Sequence, residues 1–406
     1  MIHRCVLAIL ALLALSPIIF AASPPEAWTG FRGTGDSVTS AKQLPLKWSD
    51  SENIAWKVDL PGYGQSSPVV WKERVFVTSV EGDMKETLHI LRLDLATGKT
   101  IWKKNFSGTF QAKNNDYSSK APCTPAVNAD RVFALFDSGD VFAFDHDGKE
   151  LWRRNLTKDY GDFTNNHGIG TSPVLVGDTL LILVAQERGG YLLALDIATG
   201  ANRWKTDRPF ASGWSTPTVM DVAGKPIAIV SASGSVAAFD VATGKLFWEA
   251  DGIRGNTVAS PTAASGLVLI GASERGSQVA LELGAVAENR IRWRAESTSS
   301  FGSPLVYEGQ AYSVSREGLA TGIDLKTGKT LWDNRLPASC WASPIGGAGR
   351  VYFFTRDGVC VVVKAGAEYE PLAENVLKVK GRVYGAAAVE GAILLRTGSS
   401  LIRVGK

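Results

Sequence analysis

Cysteine is scarce in this chain of 406 residues, and its number does not favour a disulfide framework. There are four cysteines, and Cys5 lies in a segment that we expect to be removed. The odd number that remains argues against complete pairing in an exported protein. In the strand pattern described below, Cys340 and Cys360 are two strands apart, which exceeds the reach of a disulfide. We therefore expect no disulfide.

A strong excess of charge of either sign is also missing. Lysine and arginine number 43 against 40 aspartate and glutamate residues, which gives a net charge of +3. Removal of residues 1–22 deletes one base, Arg4, and no acid, so the charge becomes 42 minus 40, or +2. This balance does not favour nucleic-acid binding. The sequence also lacks Gly-x-Ser-x-Gly, His-Glu-x-x-His and a phosphate loop, so those enzyme classes receive no support.

One long hydrophobic run is present, and it lies at the amino terminus. Residues 6–20 are apolar, follow a basic residue and precede the small residues 21–23, which is typical of a cleaved secretory signal. The run is too short for a typical membrane span. We expect a signal peptide at 1–22, and a periplasmic or secreted protein with no transmembrane span. Because Cys5 precedes the apolar run, we expect it to carry no lipid.

In place of these features the chain has a repeat. Ser or Thr followed by Pro opens each of seven copies, and a Trp closes most of them, usually after Thr-Gly or Asp-Gly. The opening residues are Ser67, Thr124, Ser172, Thr216, Ser260, Ser303 and Ser343, and the closing residues are Trp102, Trp152, Trp204, Trp248, Trp293 and Trp332. The period of about 40 to 57 residues is typical of stacked supersecondary units.

Each copy is interpreted as a four-stranded antiparallel meander. In the fourth copy, short apolar runs are separated by turns that contain Gly224, Gly234 and Gly244, at the spacing of β-hairpins. A lone sheet of this kind would leave both faces in water, so neighbouring copies must cover them. Trp248, on the outermost strand, would pack between two blades and stabilise them. We therefore predict an all-β fold, a β-propeller.

The two termini are predicted to share the last blade. Residues 53–60 form a strand with Trp56 but without three strands before it, and the missing strands are found at 386–389, 392–396 and 401–404. Sharing closes the ring and removes both open edges. The prediction is an eight-bladed propeller over 53–406, with an arm at 23–52 packed across the ring. The seventh copy has no closing Trp.

The repeat resembles a known family. The stretch Ala194-Leu-Asp-Ile-Ala-Thr-Gly200, followed by Trp204, resembles the tryptophan-docking repeat of pyrroloquinoline-quinone (PQQ)-type propellers. That superfamily contains quinoprotein alcohol dehydrogenases and the non-catalytic BamB-like proteins of the outer-membrane β-barrel assembly machinery. Residues 28–33, 167–173 and 213–217 also resemble exported PQQ-like propellers of planctomycete-type bacteria. Structural docking is expected for Trp56, Trp102, Trp152, Trp204, Trp248, Trp293 and Trp332.

A ligand site is predicted at the rim of the central channel. The loops that lead from an outer strand to the next inner strand converge there, so residues just before each Ser/Thr-Pro should lie together. The candidates are Asp116, Lys120, Asn166, His167, Arg208, Trp214, Asn256, Trp341 and Tyr384, with Tyr63, Gln65, Asn165 and Phe301 in the same positions. Aromatic, amide and charged groups around a hole are typical of a ligand or peptide site. The alternative is a channel plugged by large polar side chains and water.

No catalytic or metal-binding residue is predicted. His167 lacks a second His or Cys at ligand spacing. Resemblance to the dehydrogenases would imply an adjacent cysteine pair, a Trp platform, calcium held by Glu, Asn and Asp, and an Asp base, and adjacent cysteines are missing. We expect a monomeric, BamB-like binding or scaffold propeller without a cofactor, which presents loops to a small ligand or to a protein partner in the cell envelope. The alternative is an oxidoreductase that uses PQQ with calcium.

Overall fold

The computed structural model describes residues 26–109, 121–165, 167–186, 188–208, 212–282 and 290–405. Its strands form eight sheets, and each sheet contacts its neighbours around a ring. The eight-bladed β-propeller predicted from the repeat is therefore confirmed. Within the described residues the one α-helix, Leu156–Tyr160, has five residues, and no helix is long and apolar enough to cross a membrane.

The first four blades follow the chain, and each runs from the inner strand to the outer strand. Blade 1 consists of Val69–Trp71, Arg74–Glu81, Thr87–Asp94 and Thr100–Ser107, with Ala27–Trp28 added beside the inner strand. Blade 2 consists of Ala126–Val127, Arg131–Leu135, Asp140–Asp145 and Glu150–Asn155. Blade 3 consists of Val174–Val176, Thr179–Val184, Tyr191–Asp196 and Asn202–Asp207. Blade 4 consists of Thr218–Val222, Lys225–Ala232, Gly234–Asp240 and Leu246–Ile253.

The remaining blades complete the ring. Blade 5 consists of Thr262–Ala264, Leu267–Ile270, Gln278–Glu282 and Ile291–Ala295. Blade 6 consists of Leu305–Tyr307, Gln310–Val314, Leu319–Asp324 and Thr330–Arg335, and blade 7 of Ile345–Gly347, Arg350–Phe354, Val359–Lys364 and Pro371–Val376. Blade 8 consists of Val383–Val389, Ala392–Thr397 and Ser400–Val404, with Ile54–Asp59 as its outer strand. The predicted sharing of one blade by the two ends of the propeller is confirmed.

Burial explains why these sequences form blades. The second strand of blade 3, Thr179–Val184, is buried at every position, as expected for an apolar strand covered on both faces. The outer strand of blade 6, Thr330–Arg335, exposes most of its residues and buries Trp332. The outer strands therefore face solvent, and the Trp side chain is the part of each that packs inward.

The tryptophans join successive blades through a repeated contact. In five of the seven predicted docking tryptophans the indole Nε1 donates to a backbone carbonyl in the turn between the third and fourth strands of the next blade, whereas the Nε1 of Trp248 and of Trp332 has no hydrogen-bond partner among the described residues. The pairs are Trp56 with Leu95 (2.9 Å), Trp102 with His146 (2.9 Å), Trp152 with Ile197 (3.0 Å), Trp204 with Val241 (2.9 Å) and Trp293 with Leu325 (2.8 Å). The indole ring packs on the Gly of that turn. For example, a Cβ on Gly244, whose φ is +70°, would overlap Trp204. The Thr-Gly signal of one copy and the Trp signal of the copy before it thus form a single contact.

Every outer strand also carries a β-bulge at one fixed position. The bulged residue directly precedes the docking tryptophan or its equivalent, and the eight residues are Ala55, Ile101, Leu151, Arg203, Phe247, Arg292, Leu331 and Leu372. A bulge twists an exposed edge and interrupts its pairing. The outer edges of the blades are therefore poor sites for adding a strand from a partner.

The amino-terminal arm supplies the tryptophan that the seventh copy lacks. After the bulge in blade 7, Ala373 occupies the position that a docking Trp occupies elsewhere. Trp48 of the arm is 3% exposed and stacks with Tyr352 at 6.5 Å between ring centroids, within the core that joins blades 7 and 8. The Trp48 backbone N–H donates to Asn375 Oδ1 at 2.8 Å. The arm therefore fills the seam where the repeat is incomplete.

The beginning of the arm lies in the central channel. The buried Arg32 guanidinium donates to the Pro261 carbonyl at 3.1 Å, the Pro304 carbonyl at 2.9 Å and Thr262 Oγ1 at 2.5 Å. These groups belong to the start of the inner strands of blades 5 and 6. Burial lowers the pKa of Arg32 to about 10. Residues 28–39 therefore tie inner strands together from inside the ring.

The Ser/Thr-Pro signal forms a belt around the same channel. Six of the seven Ser or Thr hydroxyls, those after Ser67, accept a hydrogen bond from the backbone N–H of the equivalent residue one blade earlier. The six bonds run from Ser67 through Thr124, Ser172, Thr216, Ser260 and Ser303 to Ser343, with lengths of 2.8 to 3.0 Å. In blade 8 Gly385 takes this position, and a side chain there would overlap Ser67. The hydroxyls are therefore framework groups.

Candidate functional site

The candidate site lies on the face of the ring that carries the rim loops. A rim loop connects the outer strand of one blade with the inner strand of the next, and the turns between second and third strands lie on the same face. We call this the long-loop face, and the opposite face, which carries the Thr-Gly turns, the short-turn face. Three predicted rim residues, Asp116, Lys120 and Asn166, lie outside the described residues.

Four half-buried aromatic side chains form a continuous row on the long-loop face. Tyr63, Trp341 and Phe301 come from rim loops, and Tyr384 is the second residue of the inner strand of blade 8; we call these four side chains, from four successive blades, the aromatic row. Their ring centroids lie 6.0, 5.7 and 5.0 Å apart in that order. The two tyrosine hydroxyls are 2.8 Å apart, and burial, with that bond, raises the pKa of Tyr63. The structure thus brings together two of the predicted ligand-site candidates, Trp341 and Tyr384, with the rim residues Tyr63 and Phe301.

Two arginines lie over this row, and the sequence reasoning did not select them. The Arg382 guanidinium carbon is 4.8 Å from the centroid of Trp341, and that of Arg316 is 5.5 Å from the centroid of Phe301. Within the described ranges neither guanidinium has a hydrogen bond or an ion pair. Arg382 lies in a rim loop, two residues before Tyr384, and could have been noticed. Arg316 lies in a turn between second and third strands, outside the rim loops.

A third arginine is buried close to Tyr63. Arg396 has no exposed surface, and burial lowers its pKa to about 9. Its Nε donates to the Gly64 carbonyl at 3.2 Å, and Nη2 donates to the carbonyls of Thr78 at 3.3 Å and Gly398 at 3.2 Å. Its Nη1 has no partner in the described part of the chain. Positive charge is therefore present both on and below the row.

Little space remains in the channel next to the arm. A cavity of about 40 Å³ separates Trp28, Phe31 and Arg32 from the row, which is room for about three waters. A second cavity, of about 100 Å³, lies between residues 29–35 and the inner strands of blades 2 to 5. Small-molecule sites usually occupy about 300 to 1,000 Å³. A tricyclic quinone does not fit beside the arm in this arrangement.

The donor set does not match the calcium and disulfide requirements of quinone chemistry either. Among the described residues no group of three or more His, Cys, Asp or Glu side chains is placed to hold a metal ion. Cys123, Cys340 and Cys360 are buried free thiols, and burial raises the pKa of Cys340 to about 12. We therefore derive no chemical step through PQQ.

Asn256 bonds inward and is not available to a ligand. It is fully buried, and Nδ2 donates to Ser231 Oγ at 2.9 Å, to the Ala232 carbonyl at 2.8 Å and to the Ser235 carbonyl at 3.0 Å. Its Oδ1 accepts from the Gly234 N–H at 3.0 Å. All of its hydrogen-bonding groups hold a turn of blade 4, so the ligand-site hypothesis no longer includes Asn256.

The other described candidates lie apart from the aromatic row. Trp214 packs on His167 with 5.6 Å between centroids, and its Nε1 donates to the Gly168 carbonyl at 2.9 Å. Arg208 forms an ion pair with Glu249 at 2.5 Å, between the outer parts of blades 3 and 4. These residues connect loops and strands of the framework, and they do not extend the row.

The fold and the tryptophan contacts define a β-propeller of the PQQ-like class. Residues 37–250, 137–287 and 281–368 match the family described as outer membrane protein assembly factor BamB. The chain belongs to this family, and its predicted resemblance to PQQ-like, BamB-like propellers is confirmed. The planctomycete type stays a prediction.

Individual relatives are distant. The chain is 27% identical to BamB of Moranella endobia over 62% of this chain and 67% of that protein. It is 24% identical to BamB of Yersinia pestis over 59% and 63%. The chain therefore spans about two thirds or less of the length of these relatives.

Solved structures agree in fold. BamB from Moraxella catarrhalis has a TM-score of 0.63 at 14% identity, over 86% of this chain and 99% of that one. A quinohemoprotein alcohol dehydrogenase from Comamonas testosteroni has a TM-score of 0.69 at 14% identity, over 95% and 82%. At this identity the similarity defines the architecture alone.

Proposed function

We propose that this chain is an exported binding or scaffold propeller without catalytic activity, which uses its long-loop face to hold a protein partner in the cell envelope. The observation that carries the proposal is the aromatic row with two guanidinium groups that have no bonded partner in the described ranges. Aromatic and arginine side chains are enriched where protein interfaces are strongest. Relatives that are named assembly factors for outer membrane proteins support a protein as the partner.

Location and assembly remain part of this proposal. The predicted signal peptide at 1–22 supports export to the periplasm or to the medium. Because the bulged outer edges interrupt strand pairing between rings, we propose that the propeller acts as a monomer.

A PQQ-dependent oxidoreductase is the competing function. The fold similarity to a quinohemoprotein alcohol dehydrogenase favours it. The arm in the channel and the dispersed cysteines oppose it, since both would have to change before a quinone ring could be held. We therefore prefer the binding function.

Site-directed photocrosslinking tests the proposed function. Lys380 is exposed beside Arg382, and Lys326 is equally exposed in a Thr-Gly turn on the short-turn face. Each is replaced by a photoreactive phenylalanine analogue, and adducts formed in the cell envelope are identified by mass spectrometry. We expect a discrete protein adduct from position 380 and none from position 326.

The variant at position 326 distinguishes specific crosslinking at the long-loop face from nonspecific crosslinking. Equal adducts from both positions, or no adduct from position 380, would contradict the proposal. In parallel, the purified protein is titrated with PQQ and calcium in a calorimeter and assayed for dye-linked alcohol oxidation. Tight binding with turnover would establish the oxidoreductase in place of the binding function.

A further inference from the structure

Two of the four rings in the aromatic row have an arginine over one face. Arg382 covers Trp341 and Arg316 covers Phe301, at 4.8 and 5.5 Å. A guanidinium that stacks on a ring keeps its planar N–H groups free for hydrogen bonds, and its orientation is fixed in advance. Within the described residues these two groups have no carboxylate partner. The row therefore offers two preorganised donors that match carboxylate geometry.

The surroundings of the row are positively charged. The rim loop before Tyr384 contains Lys378, Lys380 and Arg382 and no acid, and both lysines are exposed. In the neighbouring turn of blade 7, Arg356 is already paired with Asp357 at 3.2 Å. The buried Arg396, whose bonds within the described chain go to backbone carbonyls, adds a cation close to Tyr63. Charge complementarity thus favours an anionic partner.

The spacing of the rings fits an extended polypeptide. Neighbouring centroids are 5.0 to 6.0 Å apart, whereas alternate residues of a strand, which point to the same side, are roughly 6.6 Å apart. One side of an extended segment can therefore place a side chain near each successive ring. The whole row would accommodate every second side chain of a short acidic segment.

The same geometry disfavours a sugar polymer. Sugar rings would need open, parallel aromatic faces, but the interplanar angles along the row are 76°, 69° and 37°. The arginines also cover a face of Trp341 and of Phe301. The guanidinium groups that cover these faces bind carboxylates better than they bind sugar faces.

We propose that the aromatic row is a peptide-binding site for an extended segment with acidic side chains at alternate positions. Its carboxylates would pair with Arg316 and Arg382, and its backbone would follow the row from Phe301 toward Tyr63. This inference rests on the proposed function, because it assigns a chemical character to the protein partner. It does not depend on the partner's identity.

A fluorescence-anisotropy titration with defined peptides tests this inference. The probe is a fluorescein-labelled Glu-Tyr-Glu-Tyr-Glu-Tyr peptide, and its control replaces each Glu by Gln. We expect the Glu probe to bind the exported, purified protein at least about tenfold more tightly than the Gln control, because each lost charge-assisted bond costs about that much. Added salt should weaken binding of the Glu probe and leave binding of the Gln control nearly unchanged.

Variants of the protein locate the binding. The double variant Arg316→Gln, Arg382→Gln should bind the Glu probe at least about tenfold more weakly. The double Arg→Lys variant should keep part of the affinity, because lysine keeps the charge but not the planar arrangement of N–H donors. Arg153→Gln is the control, since Arg153 is exposed on the outer strand of blade 2. Unfolding midpoints of all variants show whether the ring is intact.

Several results would overturn this inference. One is equal affinity for the Glu and Gln peptides, and another is unchanged binding by the folded double variant. Tighter binding of polygalacturonate than of the Glu probe would assign the row to an anionic glycan. The proposed function fails separately: an adduct at position 380 with no binding of the Glu probe would retain the protein partner and reject its acidic character.

Discussion

Two arcs of the long-loop face are built from equivalent rim loops but use their polar groups differently. In the arc of blades 3 to 5, Asn256 and Trp214 donate to backbone carbonyls of the ring itself. In the arc of blades 6, 7, 8 and 1, Arg316 and Arg382 stack on aromatic rings and have no bonded partner among the described residues. The first arc is framework and the second is available for binding.

This difference shows how a site can arise in a repeated fold without new chemistry. The belt of hydroxyls repeats one hydrogen bond from blade to blade, and five tryptophan seams repeat another, so they stabilise the ring. A binding surface then requires only a few loop residues whose donors point outward. Changes in the framework should therefore alter stability and spare binding, and changes in the row should do the opposite.

The largest loss of stability is expected from Trp48→Ala, in the framework that supports the row. This change empties the seam between blades 7 and 8 and should lower the free energy of unfolding by about 3 to 5 kcal/mol. Urea unfolding followed by circular dichroism measures the loss. Ser51→Ala, at an exposed arm position, is the control. A Trp48→Ala protein as stable as this control would mean that the arm does not complete the seam.

Asn256→Ala tests the first arc directly. It leaves the Gly234 N–H without its partner and removes the donors to Ser231 Oγ and to the Ala232 and Ser235 carbonyls, so it should cost about 3 kcal/mol of unfolding free energy. Binding of the Glu peptide should be unchanged in the folded variant. Reduced peptide affinity at unchanged stability would place Asn256 in the ligand site. It would then be wrong to treat the arc of blades 3 to 5 as framework only.

Substitution of two glycines of blade 4 measures how much the packing of Trp204 on the turn contributes to stability. Gly244 and Gly224 both have positive φ, +70° and +80°, but a Cβ would overlap Trp204 only at Gly244. Gly224→Ala should therefore cost the backbone penalty alone, about 1 to 2 kcal/mol, and Gly244→Ala about 1 to 3 kcal/mol more. If urea unfolding shows that both variants lose the same unfolding free energy, the Trp204 indole does not exclude a side chain from the turn.

The smallest effect is expected from an exposed turn on the short-turn face. Ion pairing with Arg203, and hydrogen bonds from Thr199, lower the pKa of Asp196 to about 2. A lowered pKa in the folded state contributes stability above the ordinary value of about 4, and this contribution is lost as the pH falls from about 4 to about 2. Asp196→Asn should therefore flatten the dependence of unfolding free energy on pH in that window. An unchanged slope would contradict this assignment.

The fold could be predicted from the sequence because the repeat encodes contacts between neighbours. Thr-Gly and Trp occur in phase since one packs on the other, and the Ser/Thr hydroxyl accepts a hydrogen bond from the backbone N–H of the equivalent residue one blade earlier. The role of Trp48 could not be predicted, because the arm has no period and its contact lies more than 300 residues away in the chain.

The candidate site could be predicted only in part. Position in a rim loop was sufficient to select Trp341 and Tyr384, which the structure places in one row. Position does not show which way an amide points, so Asn256 was selected although it bonds inward. Arg316 comes from a different kind of turn, and it joins the row only because the ring brings that turn beside Phe301.

The most direct test of the binding function compares envelope crosslinking from position 380 in the wild-type background and in the Arg316→Gln, Arg382→Gln background. Both proteins are matched for amount and for unfolding midpoint. We predict one discrete adduct that is strongly reduced in the double variant. An adduct of equal yield in both backgrounds would show that the partner does not use the aromatic row, and would contradict the proposed binding function of the long-loop face.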